Sequence, residues 1–283
     1  MAAVEKTFTD DWGVEIFYDV YAVANPRAVI QIQHGLGDHA GRYAGTAAAF
    51  NAAGYTVYAM DSRGHGRTGA KQFGGNLSKL GHLGPGGLTA TIAGIHQMTG
   101  IIGEQVENTP IVYLGHSMGS LMGQKLINDH AADFEAVIFT GTAWRRPGYM
   151  NAGDLNKPFK EGATTGHEWL SRDPAVWTAF KQDPWTFEAD VLKLFGVVDG
   201  LRLFGRPYPH MAEVPILIAV GENDSLGGER SAVKLADDYI HRAKQNDVTV
   251  IVFPDARHEI FNETNKTEVL DDVISWVSQR IAR

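Results

Sequence analysis

A serine that can act as a nucleophile stands near the middle of the sequence. Ser117 is the central residue of a Gly-x-Ser-x-Gly pattern at 115–119, which follows an apolar run from Ile111 and precedes a helix-compatible segment. This context predicts a sharp strand-to-helix turn that exposes the serine hydroxyl, with Gly115 and Gly119 small enough to let strand and helix approach. The pattern can also occur by chance in a chain with 32 glycines, so the assignment depends on its partners.

The partners that a serine nucleophile needs follow it along the chain. A base must take the hydroxyl proton, and an acid must hold that base in one tautomer. Glu222 and Asp224 both lie directly after a predicted strand at 215–220, and either carboxylate could be the acid or simply a helix cap or loop carboxylate. His258 follows the last predicted strand, at 248–253, and no histidine lies beyond it, so chain order favours it as the base.

Backbone donors for a developing negative charge are expected on both sides of the serine. The loop at 34–37 resembles the glycine-bearing loop that donates one backbone N–H to the oxyanion in α/β-hydrolases. The donors would then be the N–H groups of Leu36 and Met118, and Met118 begins a helix whose N-terminus also favours negative charge. The alternative is that Gly35 and Gly37 only make a tight turn.

Two other ligand patterns are incomplete. His34, Asp38 and His39 partly match a binuclear metal-binding run, but Leu36 stands where a second histidine is needed. Glycines at 81–89 resemble a phosphate-binding loop, yet the lysine that would reach the phosphates is missing. We therefore expect no metal and no cofactor.

Composition excludes several classes of function. The net charge of −8 gives no basic stripe for a phosphate backbone, so we expect no nucleic-acid partner. Cysteine is absent, which excludes disulfides, thiolate metal sites and a cysteine nucleophile. The first residues lack the apolar core of a signal peptide, and no uncharged apolar run approaches membrane-spanning length. These features predict a cytoplasmic protein.

Alternating strands and helices must position these residues. A β-hairpin is predicted at 4–21, and a polar loop at 61–68. Further strands are predicted at 28–33, 55–60, 111–115, 136–140, 215–220 and 248–253, and helices at 43–53, 88–106, 229–243 and 263–281. The alternation predicts an α/β fold whose mostly parallel, doubly wound sheet has about eight strands.

One segment interrupts the alternation and predicts an inserted helical lid. The core would comprise residues 1–141 and 211–283, and the lid residues 142–210, where no strand is convincing. Asp-Pro pairs at 173–174 and 183–184 predict the starts of two short helices. Aromatic side chains are dense in the lid and could line an acyl-chain pocket or only pack the lid onto the core. Tentative substrate-binding residues are Trp144, Trp169, Trp177 and Phe180.

The combined pattern resembles the monoacylglycerol lipase and lysophospholipase group of serine hydrolases, within the serine aminopeptidase-like family. The matching positions are His34-Gly35, Asp38-His39, Arg42-Tyr43, Asp61-x-Arg63-Gly64-His65-Gly66, residues 115–119, Ser171-Arg172-Asp173-Pro174, Asp224 and His258. They extend from about residue 30 to residue 260 in the family's order. Thr68 departs from the group, which often has serine there.

The resemblance implies an α/β-hydrolase fold and hydrolysis of carboxylic esters of single-chain lipids. Ser117 would attack the carbonyl, His258 would accept its proton and return it to the leaving alcohol, and water would release the acyl group. The family pattern selects Asp224 rather than Glu222 to orient His258. A lipid-like ester would be the partner, with transient contact to a membrane or micelle surface, and the oligomeric state is left open.

Other activities on the same scaffold fit the sequence as well. They include a peptidase, a short-chain esterase, a cofactor-free haloperoxidase-like protein and a hydroxynitrile-lyase-like protein. A non-catalytic binding protein usually loses a triad member, and none is missing here.

Overall fold

The strands of this chain pair into one mixed sheet. The computed structural model describes residues 3–281, and within them the sheet has eight strands in the order β1-β2-β4-β3-β5-β6-β7-β8. They are β1 (Val4–Thr9), β2 (Glu15–Tyr21), β3 (Val29–Gln33), β4 (Thr56–Met60), β5 (Ile111–His116), β6 (Ala136–Thr140), β7 (Ile216–Gly221) and β8 (Val248–Phe253). The pairings of β1 with β2 and of β2 with β4 are antiparallel, and the others are parallel. The predicted α/β fold is confirmed.

Helices cover both faces of the sheet. They are α1 (Ala44–Ala52), α2 (Gly66–Gln72), α3 (Gly87–Gln105), α4 (Met118–His130), α5 (Pro174–Gln182), α6 (Val191–Arg202), α7 (Gly228–His241) and α8 (Lys266–Ser278). Helices α3, α4 and α7 pack on one face, and α1 and α8 on the other. Strands β3, β5, β6 and β7 are consequently buried along their whole length. None of the described helices is both long and apolar enough to cross a bilayer.

The chain leaves the sheet between β6 and β7. The described residues of this segment form α5, α6 and short turns, with no strand. Its two ends are tied together, because Arg145 near the first end donates to the carbonyl oxygen of Leu203 near the second (2.9 Å). Trp144 and Arg206, one from each end, both donate to Asp238 on α7. These contacts fix both ends of the segment on the core.

One of the two predicted helix starts in this segment is correct. The Asp173 carboxylate caps α5 by accepting from the N–H of Ala175 (2.9 Å). The prediction for Asp183 is wrong, because this residue ends α5 instead of starting a helix. Its carboxylate accepts from the N–H of Trp185 (2.9 Å), which closes a local turn. The next helix, α6, is capped by Asp190.

The polar loop predicted at 61–68 is shorter than expected, since α2 begins at Gly66. The fully buried Asp61 carboxylate accepts from the backbone N–H and the side chain of Arg67 (3.0 and 2.7 Å). It also accepts from the N–H of Ala40 (2.7 Å). A cap that lies six residues upstream and joins two loops is not visible in the local pattern.

Strand β5 and helix α4 approach β3 at Gly119. A Cβ at this position would lie 2.7 Å from the carbonyl oxygen of His34 and closer still to that of Gln33. The hydroxyl of Tyr113 donates to the Gly119 carbonyl oxygen (2.8 Å) and holds the start of α4 against β5. Only glycine therefore lets α4 begin directly above the end of β3.

Replacing Gly119 with alanine should destabilise the protein strongly. We expect Gly119→Ala to lower the free energy of unfolding by about 3 kcal/mol, because the new methyl group meets backbone that cannot move aside. The matched control is Gly103→Ala on α3, where a Cβ meets nothing within 4 Å. This substitution should raise the free energy of unfolding by up to about 1 kcal/mol. Urea unfolding of both variants measures the difference, and equal effects would contradict the packing argument.

Candidate active site

Ser117 lies on a strained turn at the C-terminal edge of the sheet. Its φ of 51° and ψ of −121° fall in a region that residues with a Cβ rarely adopt, at a cost of about 1–3 kcal/mol. The Ser117 N–H donates to the carbonyl oxygen of Thr140 (2.9 Å), and the Ser120 hydroxyl donates to the carbonyl oxygen of Ser117 (2.6 Å). The Ser117 hydroxyl does not cap α4, so the turn presents it away from the helix.

Asp224 and His258 form a buried pair beside this turn. His258 Nδ1 lies 2.9 Å from Asp224 Oδ1, which assigns the ring proton to Nδ1 and leaves Nε2 as an acceptor. Nε2 is buried without a hydrogen-bond partner among the described residues, and His258 and Ser117 line the same cavity. Glu222 is exposed and its carboxylate accepts from the N–H of Asp255 instead (3.0 Å). The structure thus brings Asp224, not Glu222, to the histidine.

The loop after β3 is oriented by a buried histidine. His34 Nε2 accepts from the N–H of Ser62 (2.9 Å), so its Nδ1 donates to the carbonyl oxygen of Gly35 (2.7 Å). Because C=O and N–H point in opposite directions in a trans peptide, this bond turns the N–H of Leu36 away from His34. A Cβ on Gly35 would lie 3.0 Å from the Cβ of Ser117, so the loop passes directly beside the serine.

Two backbone donors are free at this point. Among the described residues, neither the N–H of Leu36 nor that of Met118 has a hydrogen-bond acceptor. Met118 is the first residue of α4, so its N–H belongs to the positive end of the helix dipole. Together they can stabilise an oxyanion formed at Ser117.

A buried ion-pair network joins the Leu36 loop to the histidine loop. The Arg42 guanidinium donates two hydrogen bonds to Glu259 (2.8 Å each) and one to Asp38 (2.9 Å). The Tyr43 hydroxyl donates to the same Asp38 carboxylate (2.8 Å). Burial alone would raise the pKa of Asp38, but the adjacent Arg42 charge holds it well below its usual range. Because Glu259 follows His258, Arg42 fixes the distance between the two loops.

Two cavities of different polarity meet at Ser117. The larger, about 250 Å³, is lined mainly by aliphatic side chains, among them Leu121, Leu155 and Leu226. The smaller, about 20 Å³, is lined by three histidines and by other polar and aromatic side chains such as Glu188. A substrate held at Ser117 would therefore meet an aliphatic surface on one side and a mixed polar and aromatic one on the other.

The structure brings two of the four tentative lid residues to these cavities. Trp169 lines both, and its ring lies 4.7 Å from that of His258. Phe180 lines the smaller cavity. Trp144 and Trp177 line neither of these two cavities. Their indole N–H groups donate to Asp238 and to the Ser171 carbonyl oxygen, and these bonds hold both rings in the packing of the segment.

Sequence reasoning missed several lining residues. His167 and Glu188 face the smaller cavity, with His167 Nε2 3.1 Å from Glu188 Oε1, and His167 Nδ1 is buried without a described partner. No local pattern marks them, because 21 residues separate the two positions. The aliphatic side chains of α6 line the larger cavity, and their signal was visible as the apolar residues that recur from Val191 to Leu203.

The described residues contain one group of side chains spaced closely enough to share a metal ion, namely His96, His130 and Asp133. It lies at the opposite end of α4 from Ser117 and contacts neither cavity.

Three buried histidines around the site are uncharged at neutral pH. Burial lowers the pKa of His34 to about 4, that of His65 to about 3 and that of His116 to about 4. The His116 ring lies 4.8 Å from that of His258, so a charge on His116 would oppose protonation of the base.

These buried histidines should make stability depend on pH. An unfolded histidine takes up a proton near pH 6.5, whereas the folded protein resists protonation until about pH 4. The free energy of unfolding should thus fall as the pH drops from about 6.5 to 4, by up to about 1.4 kcal/mol per pH unit for each histidine. Urea unfolding across this range measures the slope. His65→Gln should lower this slope by the contribution of one proton, whereas His210→Gln, at an exposed histidine, should leave it unchanged. A slope that His65→Gln does not change would contradict the lowered pKa of His65.

Comparisons with known proteins agree with this geometry. The chain is 31% identical to a monoacylglycerol lipase of Mycolicibacterium smegmatis over 96% of both chains. It is 24% identical to the human monoglyceride lipase, with 91% of this chain and 84% of the human protein covered. The crystal structure of a thermostable carboxyl esterase from Bacillus coagulans in complex with glycerol superimposes with a TM-score of 0.81 over the full length of both chains, at 25% identity. The family model described as serine aminopeptidase, S33, matches residues 24–265, and the chain belongs to this family of α/β-hydrolases.

Proposed function

We propose that this protein hydrolyses carboxylic esters of single-chain lipids such as monoacylglycerols, with Ser117 as nucleophile. The Ser117 oxygen attacks the ester carbonyl while His258 Nε2 takes its proton, and Asp224 stabilises the imidazolium that forms. The N–H groups of Leu36 and Met118 bind the oxyanion. The observation that carries the proposal is the buried His258 and Asp224 pair, in which His258 Nε2 has no described hydrogen-bond partner and His258 lines the same cavity as Ser117.

The acyl chain is proposed to occupy the larger cavity. Its volume of about 250 Å³ and its aliphatic lining fit a hydrocarbon chain, which gains about 0.8 kcal/mol for each methylene removed from water. Aliphatic and charged substrates would be distinguished here, because a charged side chain of a peptide would lose its hydration without gaining a partner. This difference favours lipid esters over peptides.

The leaving alcohol is proposed to face the smaller cavity. His258 must return its proton to the alcohol oxygen, so the alcohol has to lie on the histidine side of the scissile bond. There His167 and Glu188 offer polar atoms to hydroxyl groups, and His167 Nδ1 has no described partner. The cavity of about 20 Å³ admits little more than one hydroxyl-sized group, which favours a small polar alcohol over a second acyl chain.

We also propose that residues 142–210 form a lid that contacts a lipid surface. Four aliphatic side chains of α6 are more than 60% exposed, namely Leu192, Val197, Val198 and Leu201. Three of them also line the larger cavity, so the apolar surface continues from solvent into the site. A face of this kind can insert into a membrane or micelle from which a substrate then enters. The cytoplasmic location expected from the sequence stays a prediction.

Loss of the nucleophile should abolish turnover without unfolding the protein. We expect Ser117→Ala to lower ester hydrolysis by about four to six orders of magnitude and to prevent labelling by a fluorophosphonate. Ser78→Ala, at an exposed loop serine, is the matched control and should label and turn over normally. Near-normal hydrolysis by Ser117→Ala, with unfolding unchanged, would refute the assignment.

A substrate panel separates a lipid esterase from a peptidase. We expect kcat/KM for p-nitrophenyl esters to rise about fourfold with each added methylene until the chain fills the larger cavity, and then to level off. Aminoacyl anilides should be cleaved at least a thousandfold more slowly than the best ester. The opposite order, with anilides preferred, would favour the peptidase alternative.

Contact with a lipid surface should depend on the exposed face of α6. We expect Val198→Glu to reduce co-flotation with phospholipid vesicles at least fivefold, because Val198 is 64% exposed and does not line the larger cavity. Val233→Glu on α7, at a valine that is 50% exposed, is the matched control. Hydrolysis of a monomeric short-chain ester should be the same for both variants. Equal vesicle binding by both would argue against the surface role of α6.

A further inference from the structure

A second cluster of chemically active side chains lies far from the serine. His96 comes from the middle of α3, His130 is the last residue of α4, and Asp133 lies in the single turn that follows. All three side chains are 38–45% exposed, so an ion from solvent can reach them. The helical backbone on which two of them stand fixes their separation. None of them takes part in the proposed hydrolysis.

The donor atoms lie near the separations that an ion site requires, and His96 Nε2 and Asp133 Oδ2 are at hydrogen-bond distance. Asp133 Oδ2 lies 2.8 Å from His96 Nε2 and 3.8 Å from His130 Nδ1, and one donor atom of each residue lies within 4.8 Å of the others. In a tetrahedral Zn²⁺ site with bonds of about 2.0–2.1 Å, donor atoms are separated by roughly 3.4 Å. The two distances to Asp133 therefore differ from the bound geometry by about half an ångström.

The two imidazole rings must rotate to share an ion. Their rings are stacked, with centroids 3.7 Å apart and planes 23° from parallel, so their in-plane lone pairs do not yet converge. Both side chains are exposed at their outer faces, and a rotation about the side-chain bonds meets solvent instead of packed core. The change required is one of side-chain angle and not of backbone.

We propose that His96, His130 and Asp133 bind a divalent transition-metal ion of the Zn²⁺ class. Two imidazoles and one carboxylate are a donor set that Zn²⁺, Co²⁺ and Ni²⁺ accept, whereas Ca²⁺ and Mg²⁺ prefer oxygen ligands alone. The chain has no cysteine to compete for the ion and carries a net charge of −8, which attracts cations.

The ion would join α3 to the end of α4 without entering the catalytic centre. Helix α4 has 13 residues and separates Ser117 from the turn that contains Asp133. This length corresponds to about 20 Å along the helix axis. An ion that binds only the folded protein raises the stability of that protein by mass action, because the three residues do not stay together in the unfolded chain. The expected effect is thus a rise in melting temperature with no change in ester turnover.

Titration of the chelator-treated, full-length protein with Zn²⁺ alone tests the site. We expect one equivalent to bind with a Kd in the micromolar range, and Co²⁺ to give visible absorption bands of a site with nitrogen and oxygen ligands. His96→Ala and His130→Ala should each weaken binding at least tenfold and remove the rise in melting temperature. His241→Ala is the matched control, since His241 faces Asp237 on α7 (3.4 Å) without a third ligand.

Three results would overturn the proposal. The first is the lack of saturable Zn²⁺ binding below 1 mM by the wild-type protein. The second is binding that His96→Ala and His130→Ala leave as strong as in the wild type. The third is stoichiometric inhibition of ester turnover by the bound ion, which would place the ion at His258 instead.

Discussion

The contact between the strained serine turn and the end of β3 is the constraint on which the site depends. The backbone of Ser117 adopts angles that cost about 1–3 kcal/mol, and it is kept there because Gly119 packs against the carbonyl oxygens of Gln33 and His34. The same contact places the first N–H of α4 next to the loop that begins at His34. One tight approach of helix to sheet therefore exposes the proposed nucleophile and brings together the two proposed donors for the oxyanion.

The rest of the site is held by groups that act through the loops. Arg42 connects Asp38 in one loop with Glu259 in the other, so the oxyanion donors and the histidine cannot move independently. The segment between β6 and β7 is bonded to the histidine loop, because the N–H groups of His258 and Glu259 donate to the carbonyl oxygens of residues 169 and 170 (3.3 and 2.7 Å). A displacement of residues 169 and 170 would therefore shift the backbone of His258.

The two cavities give the reaction a direction. An ester bound at Ser117 has an apolar half and an alcohol half, and the site offers an aliphatic cavity and a polar cavity on the two sides of the serine. Because the proposed base His258 must reach the alcohol oxygen, we propose the smaller cavity as the place for the leaving group. In this proposal, each half of the ester gives up its water only where the protein surface offers contacts of matching polarity. That difference in desolvation would select the substrate. The exposed aliphatic side chains of α6 extend the apolar lining of the larger cavity to the protein surface.

The sequence by itself determined the sheet, the turn at Ser117 and the order of serine, acid and histidine, because these depend on local apolar periodicity, on glycine and on chain order. It left Glu222 and Asp224 open on local grounds, since both follow β7 and only the fold puts one of them 2.9 Å from His258 Nδ1. Tertiary structure alone decided that Asp183 ends a helix and that Trp144 packs away from the site. It also brought His96 to Asp133, from positions 37 residues apart. Such contacts depend on how distant segments meet, and a local pattern carries no information about that meeting.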